Sequence, residues 1–224
     1  MIPWQQLAQA DVPGEKTTLV LSRRGSEFAI RIGTGALMSS LTHGSEEALA
    51  ELALARIAGR AQARVLIGGL GMGYTLAAAL KQLGPSAHVE VAELIPAVVE
   101  WNRGPLEHLA DRPLADRRVA VWVGDVGDRI RAAPAAWDAI LLDVDNGPEG
   151  LTRQANDALY SSSGLKAAHT ALRPGGVLAV WSSGPDLPFA KRLDQAGFDV
   201  NEVRVRATGR GGGARHIIWI ATKD

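Results

Sequence analysis

Cysteine is absent from the 224 residues of this chain. Without thiols the chain can form no disulfide, no thiolate metal site and no cysteine nucleophile, and the composition fits a reducing compartment. An excess of one charge is also missing, because 24 basic and 24 acidic side chains are scattered along the chain. Such a distribution offers no basic field to nucleic acid or to an anionic membrane, so we expect neither as a partner.

Long apolar runs and a leader pattern are also missing. No apolar stretch approaches the length that spans a bilayer, and the opening MIPWQQLAQADVPGEK has no basic segment followed by an apolar one. We therefore expect a cytoplasmic location. The hydrophobic residues, 46% of the chain, suffice for one substantial core and a small appendage.

The appendage is predicted at the N-terminus as a short β-hairpin. Two strand-like runs, TTLVLS at 17–22 and EFAIRI at 27–32, flank the turn-like RRGS. We assign residues 1–43 to this small β-hairpin segment and residues 44–224 to the main domain.

The main domain is predicted to be α/β. From Arg64 onward short apolar runs alternate with helical patterns: RVLIGG, HVEVAE, VAVWVG, DAILLD and GVLAVWS. This alternation predicts a parallel sheet covered on both faces. The last two runs, FDVNEVRVRA and RHIIWIATK, have only TGRGGG between them, so they should pair antiparallel at one edge. The prediction is a Rossmann-like, mostly parallel seven-stranded sheet with an antiparallel edge hairpin.

Three features follow three successive predicted strands. Gly69, Gly71 and Gly73 form a turn before a helix, Glu93 ends the second strand, and Asp125 follows the third. Glycines let the backbone approach a ligand, Glu93 can accept hydrogen bonds from two ribose hydroxyls, and Asp125 can accept one from an adenine amine. The plainer alternatives are a strand-to-helix turn, a solvated charge and a helix N-cap. Because open α/β sheets bind ligands at their carboxyl edge, the set predicts a site for an adenosine-containing cofactor.

Six motifs resemble those of the spermidine synthase-like family of class I S-adenosylmethionine-dependent transferases. They are IGGLGMG at 67–73, AELIPAVVEW at 92–101, GDV at 124–126, LLDVDNGPEGLT at 141–152, LY at 159–160 and ALRPGGVLAVWS at 171–182. The motifs cover most of the chain and are specific as a set. The resemblance implies the class I methyltransferase fold. It also implies an adenosyl cofactor held by the glycine turn, Glu93, Asp125, Val126 and Asp143.

Two departures from the family pattern bear on the transferred group. Gly71 stands where the family has an aspartate that holds the amine of decarboxylated S-adenosylmethionine. Asn146 stands where the polyamine enzymes have a second aspartate after Asp143, with an additional acid at Asp145. The ammonium group of an aminopropyl donor would therefore lack two of its partners. Each such hydrogen bond to a charged group typically contributes ~1.5 to 3 kcal/mol. Gly71 instead offers bare backbone amides to the α-carboxylate of S-adenosylmethionine.

The sequence therefore favours a methyltransferase that uses S-adenosylmethionine and a small-molecule amine or hydroxyl acceptor. The alternative is an aminopropyltransferase that uses decarboxylated S-adenosylmethionine, and a second alternative is a non-catalytic adenosyl-binding protein. In the favoured mechanism Asp143, and secondarily Asp145, orients or deprotonates the acceptor, Asn146 is a neutral hydrogen-bonding neighbour, and no metal is needed. Equally, Asp143 could contact only the amino group of the cofactor in a loop rich in turn formers.

The resemblance alone indicates which residues would border the acceptor substrate: His43, Glu46 and Tyr160. A helix is predicted to follow the hairpin, with Ser45 as its N-cap and Glu46 and Glu47 in its first turn. Capping explains both glutamates without any substrate. The resemblance also implies a homodimer, since symmetric dimers are the commonest closed assembly.

Overall fold

The computed structural model describes residues 2–33, 35–144, 158–208 and 213–224. Its first four strands form a separate antiparallel sheet in the order β1-β2-β3-β4. Their bounds are β1 Gln5–Asp11, β2 Thr18–Arg24, β3 Glu27–Ile32 and β4 Gly35–Ser39. The predicted hairpin corresponds to β2 and β3, and β1 and β4 extend it on either side. The sequence pattern missed β1 because its residues are mostly polar and exposed, and missed β4 because it is short.

The second sheet has seven strands in the order β10-β11-β9-β8-β5-β6-β7. The bounds are β5 Arg64–Gly68, β6 His88–Glu93, β7 Val119–Val123, β8 Trp137–Leu142, β9 Leu172–Ser182, β10 Phe198–Arg206 and β11 Arg215–Lys223. Strands β5 to β9 run parallel, whereas β11 pairs antiparallel with both β9 and β10. This sheet confirms the predicted fold class, including the antiparallel pair at one edge.

Helices connect the strands of the second sheet and cover its faces. The α-helices are α1 Gly44–Ala55, α2 Tyr74–Gln82, α3 Pro96–Arg103, α4 Val126–Arg131, α5 Ser162–Ala171 and α6 Leu187–Gln195, with a 3₁₀ turn at Pro113–Ala115. The prediction that Ser45 caps α1 is wrong. His43 occupies the N-cap position without a side-chain capping bond, and the Ser45 hydroxyl instead donates to Oε2 of Glu46 at 2.6 Å.

The first sheet packs into the same core as the second. Leu19 and Ile30 belong to one apolar cluster with Leu49 of α1 and Ile67 of β5. On the other face of the second sheet, a second cluster surrounds the fully buried Trp219. The small N-terminal sheet is therefore held against the carboxyl-edge side of the main domain by shared apolar contacts.

Strand β5 lies inside the second sheet, between β8 and β6, where the direction of the strand order changes. From β5 the chain adds β6 and β7 on one side and later β8 and β9 on the other. A crevice forms outside the carboxyl ends of the strands at such a point, and ligands bind there in open α/β sheets. The segments that follow β5, β6, β7 and β8 consequently meet at one edge.

Candidate cofactor and active site

A cavity of about 160 Å³ lies between this carboxyl edge and the N-terminal sheet. The N-terminal sheet, together with the turn between β1 and β2, contributes an apolar wall of Val12, Leu19, Ile30, Ile32, Leu37 and Met38. The opposite wall consists of residues at or after the carboxyl ends of the parallel strands: Gly69, Gly71, Ala92, Glu93, Leu94, Ile95, Val98, Gly124, Asp125, Val126, Asp143 and Val144. The cavity therefore collects the three predicted adenosine-binding features in one place.

The turn after β5 requires glycine for two different reasons. Gly69 and Gly71 have φ of +87° and +52°, in the left-handed region that disfavours a side chain. Gly69 also lies against the segment after β8, since a Cβ atom there would stand 2.3 Å from the backbone oxygen of Asp143. Gly73, with φ of +84°, is the N-cap of α2. The turn is thus packed closely against the neighbouring strand end.

Glu93 is the last residue of β6 and holds this turn. Its Oε2 accepts a hydrogen bond from the backbone N–H of Leu70 at 2.9 Å, and its Oε1 accepts one from Ile95 at 2.9 Å. The residue lines the cavity yet is only 7% exposed. The alternative of a solvated charge at a strand end is therefore wrong. The carboxylate links the glycine turn to the start of α3, and its position still suits a ribose contact.

Asp125 has the N-cap role that the sequence offered as an alternative, and it also lines the cavity. Its Oδ1 accepts the backbone N–H of Gly127 at 2.7 Å, which makes it the N-cap of α4. Asp125 and Val126 also line the cavity beside Glu93. A carboxylate that is held by a helix start and faces a cavity can accept a hydrogen bond from an adenine amine without rearrangement.

Asp143 directly follows β8 and faces the cavity from the opposite side. Its Oδ2 accepts a hydrogen bond from the Thr75 hydroxyl at 2.6 Å, which sets the orientation of the carboxylate. Burial raises the pKa of Asp143 to about 6, although the hydrogen bond from Thr75 acts in the opposite direction. A carboxylate with a pKa near neutrality is suited to receive a proton from an acceptor.

Glu46 lies next to Asp143, a relation that the sequence did not reveal. The Thr75 hydroxyl that bonds Asp143 also lies 3.4 Å from the backbone oxygen of Glu46. Burial, and next the charge of Asp143, raise the pKa of Glu46 to about 7. Glu46 lies in the first turn of α1, as predicted, and it is only 8% exposed. The two carboxylates form a buried acidic pair at the sheet edge.

The charged side chains among the described residues that line the cavity are all acidic. Glu15, Glu93, Asp125 and Asp143 line it, and none of the described lining residues is lysine, arginine or histidine. Sequence reasoning missed Glu15, which lies in the turn between β1 and β2, because β1 itself was not predicted. A cavity with this lining attracts cations and repels anions.

Solved structures share this architecture over nearly the whole chain. A spermidine synthase from Thermotoga maritima superposes with a TM-score of 0.78 at 17% identity, over 98% of this chain and 73% of that one. A spermidine synthase in complex with the transition state analogue AdoDATO gives 0.77 at 17% identity, over 98% and 72%. The chain has the fold of the spermidine synthases.

A probable spermidine synthase from Corynebacterium glutamicum ATCC 13032 has the same fold at a TM-score of 0.64 and 20% identity, over 96% of this chain and 79% of that one. Neither the protein-family models nor the curated protein sequences give a match. The spermidine synthase fold was implied by the sequence motifs and is confirmed. Identities this low establish the fold and leave the activity to be argued from the site.

The acceptor-side residues indicated by the sequence do not all meet at the cavity. His43 stacks on Tyr74 with ring centroids 4.1 Å apart, and its Nδ1 lies 3.1 Å from Oε1 of Glu47. Tyr160 lies in the cluster on the other face of the sheet, where its ring meets that of Phe189 edge to face at 5.7 Å. Tyr160 therefore contributes to core packing and does not line the cavity.

Two further predicted residues, Asp145 and Asn146, lie outside the described residues. Within the described ranges no group of three or more histidine, aspartate or glutamate side chains is arranged to hold a metal ion. No helix of the described chain has both the length and the apolar character needed to cross a membrane.

Proposed function

We propose that this protein transfers an aminopropyl group from decarboxylated S-adenosylmethionine to a small-molecule amine. The observation that carries the proposal is the acidic lining of the cavity, with Glu15, Glu93, Asp125 and Asp143 and no described basic residue. Decarboxylated S-adenosylmethionine carries a sulfonium and an ammonium group and no carboxylate, whereas S-adenosylmethionine adds an anion that this lining would repel. The spermidine synthase fold supports the same assignment.

The donor would be held by residues at the carboxyl edge. Glu93 would accept hydrogen bonds from the ribose hydroxyls, and Asp125 would accept one from the adenine amine. Val126 would pack against the base, because these three residues lie together on the cavity wall. The sulfonium of the donor makes its neighbouring carbon electrophilic. The protein therefore needs mainly to hold the acceptor nitrogen in line with that carbon, and positioning supplies much of the rate.

Asp143 would hold and deprotonate the acceptor. As the carbon–nitrogen bond forms and the carbon–sulfur bond breaks, one proton leaves the acceptor nitrogen, and Asp143 is the cavity-facing group with a pKa raised towards neutrality. Thr75 fixes the carboxylate by its hydrogen bond at 2.6 Å. Glu46 is a second titratable carboxyl group close to Asp143, and burial and the charge of Asp143 raise its pKa to about 7.

Methyl transfer from S-adenosylmethionine is the second candidate, and Gly71 favours it. This position carries no carboxylate to hold the ammonium of an aminopropyl donor. The same lack weakens the proposed function only in part, because Glu15 and Asp143 still contribute carboxyl groups to the cavity lining.

The test is to identify the thioether that the purified protein releases. The protein is incubated with linear aliphatic diamines and each donor separately, and the products are identified by mass spectrometry. Decarboxylated S-adenosylmethionine should yield 5′-methylthioadenosine and an aminopropylated diamine. Release of S-adenosylhomocysteine together with a methylated amine would instead establish the second candidate. An adenosyl ligand that binds without release of either thioether would overturn both and support a binding protein.

Asp143→Asn tests the proposed base. We expect kcat to fall about 10²- to 10⁴-fold, because loss of a positioned general base has effects of this size. The dissociation constant of 5′-methylthioadenosine should stay close to that of the wild type. Asp128→Asn, at an exposed position on α4, is the matched control and should leave both quantities unchanged. An active Asp143→Asn enzyme would exclude this residue as the base.

A further inference from the structure

Met38 of β4 covers the glycine turn. A Cβ atom at Gly71 would lie 2.7 Å from Cε and 2.9 Å from Sδ of Met38. The thioether therefore already fills the space into which a side chain at position 71 would extend. Met38 and Gly71 both line the cavity, one from the N-terminal sheet and the other from the carboxyl edge of the parallel sheet.

A β-bulge brings Met38 into this position. Along β4, Met38 pairs with Ile30 while Ala36 pairs with Arg31, so Leu37 has no partner on β3. Successive side chains of a regular strand point to opposite faces, but Leu37 and Met38 both line the cavity. Bulges re-aim side chains in this way and occur beside active sites. The irregularity in β4 is what presents two consecutive apolar side chains to the cavity.

The covered turn offers little to an anion. A carboxylate needs hydrogen-bond donors when it leaves water, and a thioether provides none. The nearest described charges on the cavity wall are carboxylates, including Asp143 and Glu93. An α-carboxylate that approached Gly71 from its Cβ side would therefore meet the Met38 thioether.

We propose that Met38 is a donor-specificity residue that closes the turn at Gly71 against the α-carboxylate of S-adenosylmethionine. This inference rests on the proposed function, because it assumes that the donor has its sulfonium side chain at the glycine turn. The preference for the decarboxylated donor would then come from an apolar side chain that occupies the space of the carboxylate and excludes water from it. Repulsion by an acid in the turn would not be needed.

The test compares wild type with Met38→Ala and Met38→Leu by calorimetry. The ligands are S-adenosylmethionine, its decarboxylated form, and 5′-methylthioadenosine, which lacks both terminal groups. We expect Met38→Ala to lower the dissociation constant of S-adenosylmethionine about tenfold relative to that of the decarboxylated form, because the carboxylate regains water and hydrogen-bond donors. Met38→Leu keeps an apolar side chain of similar size, so the ratio of the dissociation constants of S-adenosylmethionine and its decarboxylated form should change by less than about twofold.

5′-Methylthioadenosine reports whether the adenosyl site is intact in each variant, and its affinity should change by less than about threefold. An unchanged ratio in a Met38→Ala protein that still binds 5′-methylthioadenosine would overturn the role of Met38. A shifted ratio in Met38→Leu equal to that in Met38→Ala would overturn it as well. If Met38→Ala no longer binds 5′-methylthioadenosine, Met38 supports the site as a whole and the inference is wrong.

These outcomes are separate from those that test the proposed function. A wild type that forms no aminopropylated product, with a ratio that still shifts in Met38→Ala, would overturn the proposed function alone. A wild type that forms this product, with a ratio that does not shift, would overturn the specificity role alone. Absence of all adenosyl binding would overturn both.

Discussion

Glu46 and Asp143 are acids that the fold removes from water together. Burial raises the pKa of both, and the charge of Asp143 adds to the effect on Glu46. Removing a carboxylate from water disfavours its charged form, so the pair lowers the stability of the folded protein when both are ionised. Such a cost is typical of groups that serve ligand binding and not folding.

The pH dependence of stability should report this cost. Glu46 has a folded pKa of about 7 against an ordinary value of 4.5, so the folded state binds more protons than the unfolded state between these values. The free energy of unfolding should therefore fall as pH rises through this window. At about pH 8, Glu46→Gln should be more stable than wild type by on the order of 2 kcal/mol, an advantage absent at about pH 4.

Urea unfolding at the two pH values measures the difference. Glu51→Gln is the control, because Glu51 lies on the same helix and is exposed. It should follow the wild type at both pH values. An advantage of Glu46→Gln that is equal at low and high pH would show that the gain comes from packing and not from the charge.

Glu93 holds the glycine turn through two backbone hydrogen bonds and is the proposed ribose ligand. Glu93→Ala should abolish measurable binding of 5′-methylthioadenosine, because the ribose contact is lost. It should also destabilise the protein by about 2 to 4 kcal/mol, because the amides of Leu70 and Ile95 lose a charged acceptor. Calorimetry and urea unfolding measure the two effects. Glu100→Ala, exposed on α3, should change neither.

If a folded Glu93→Ala protein binds 5′-methylthioadenosine as tightly as the wild type, the ribose does not bind at Glu93. Unchanged stability would show that the two backbone hydrogen bonds add nothing net. The two readouts are independent, so either assignment can fail alone.

At the scale of elements, the turn between β5 and α2 and the segment after β8 fit together only without a side chain at Gly69. Gly69→Ala would add strain at a φ of +87° and a Cβ atom 2.3 Å from a backbone oxygen of Asp143. We expect a loss on the order of 3 kcal/mol in unfolding free energy, and a displaced Asp143 that lowers kcat. Urea unfolding and steady-state kinetics measure these changes.

Gly84→Ala is the matched control for this substitution. A Cβ atom at Gly84 would meet its nearest neighbour, the Ala61 oxygen, only at 4.0 Å. Its stability should stay within about 1 kcal/mol of the wild type. A Gly69→Ala protein as stable as Gly84→Ala would show that the turn can move away from the strand end.

For the whole molecule, the N-terminal sheet forms one wall of the cavity. Its residues Leu19 and Ile30 belong to the main core and also line the cavity. One apolar surface therefore both attaches the sheet and closes the pocket. A change that loosens this sheet should weaken donor binding and stability together.

The association of copies remains a prediction. We propose a two-fold dimer, because symmetric dimers are the commonest closed assembly and the resembled family associates. Light scattering at micromolar concentration, with and without 5′-methylthioadenosine, measures the mass. A mass equal to the 23.7 kDa of one chain under both conditions would exclude the dimer.

The sequence by itself determined the architecture of the main domain. Strand and helix periodicities are local, and a parallel sheet with right-handed crossovers follows from their alternation. The glycine turn, Glu93, Asp125 and Asp143 could be found for the same reason. Each follows a strand, and the carboxyl ends of parallel strands share one edge.

Only the tertiary structure decided how the site is charged and closed. Glu46 meets Asp143 because α1 packs beside the carboxyl edge, and Met38 reaches Gly71 because a bulge in β4 turns it towards the cavity. No local pattern encodes these contacts between residues distant along the chain. They depend on how the N-terminal sheet and α1 pack on the parallel sheet, which the periodicity of single segments does not specify.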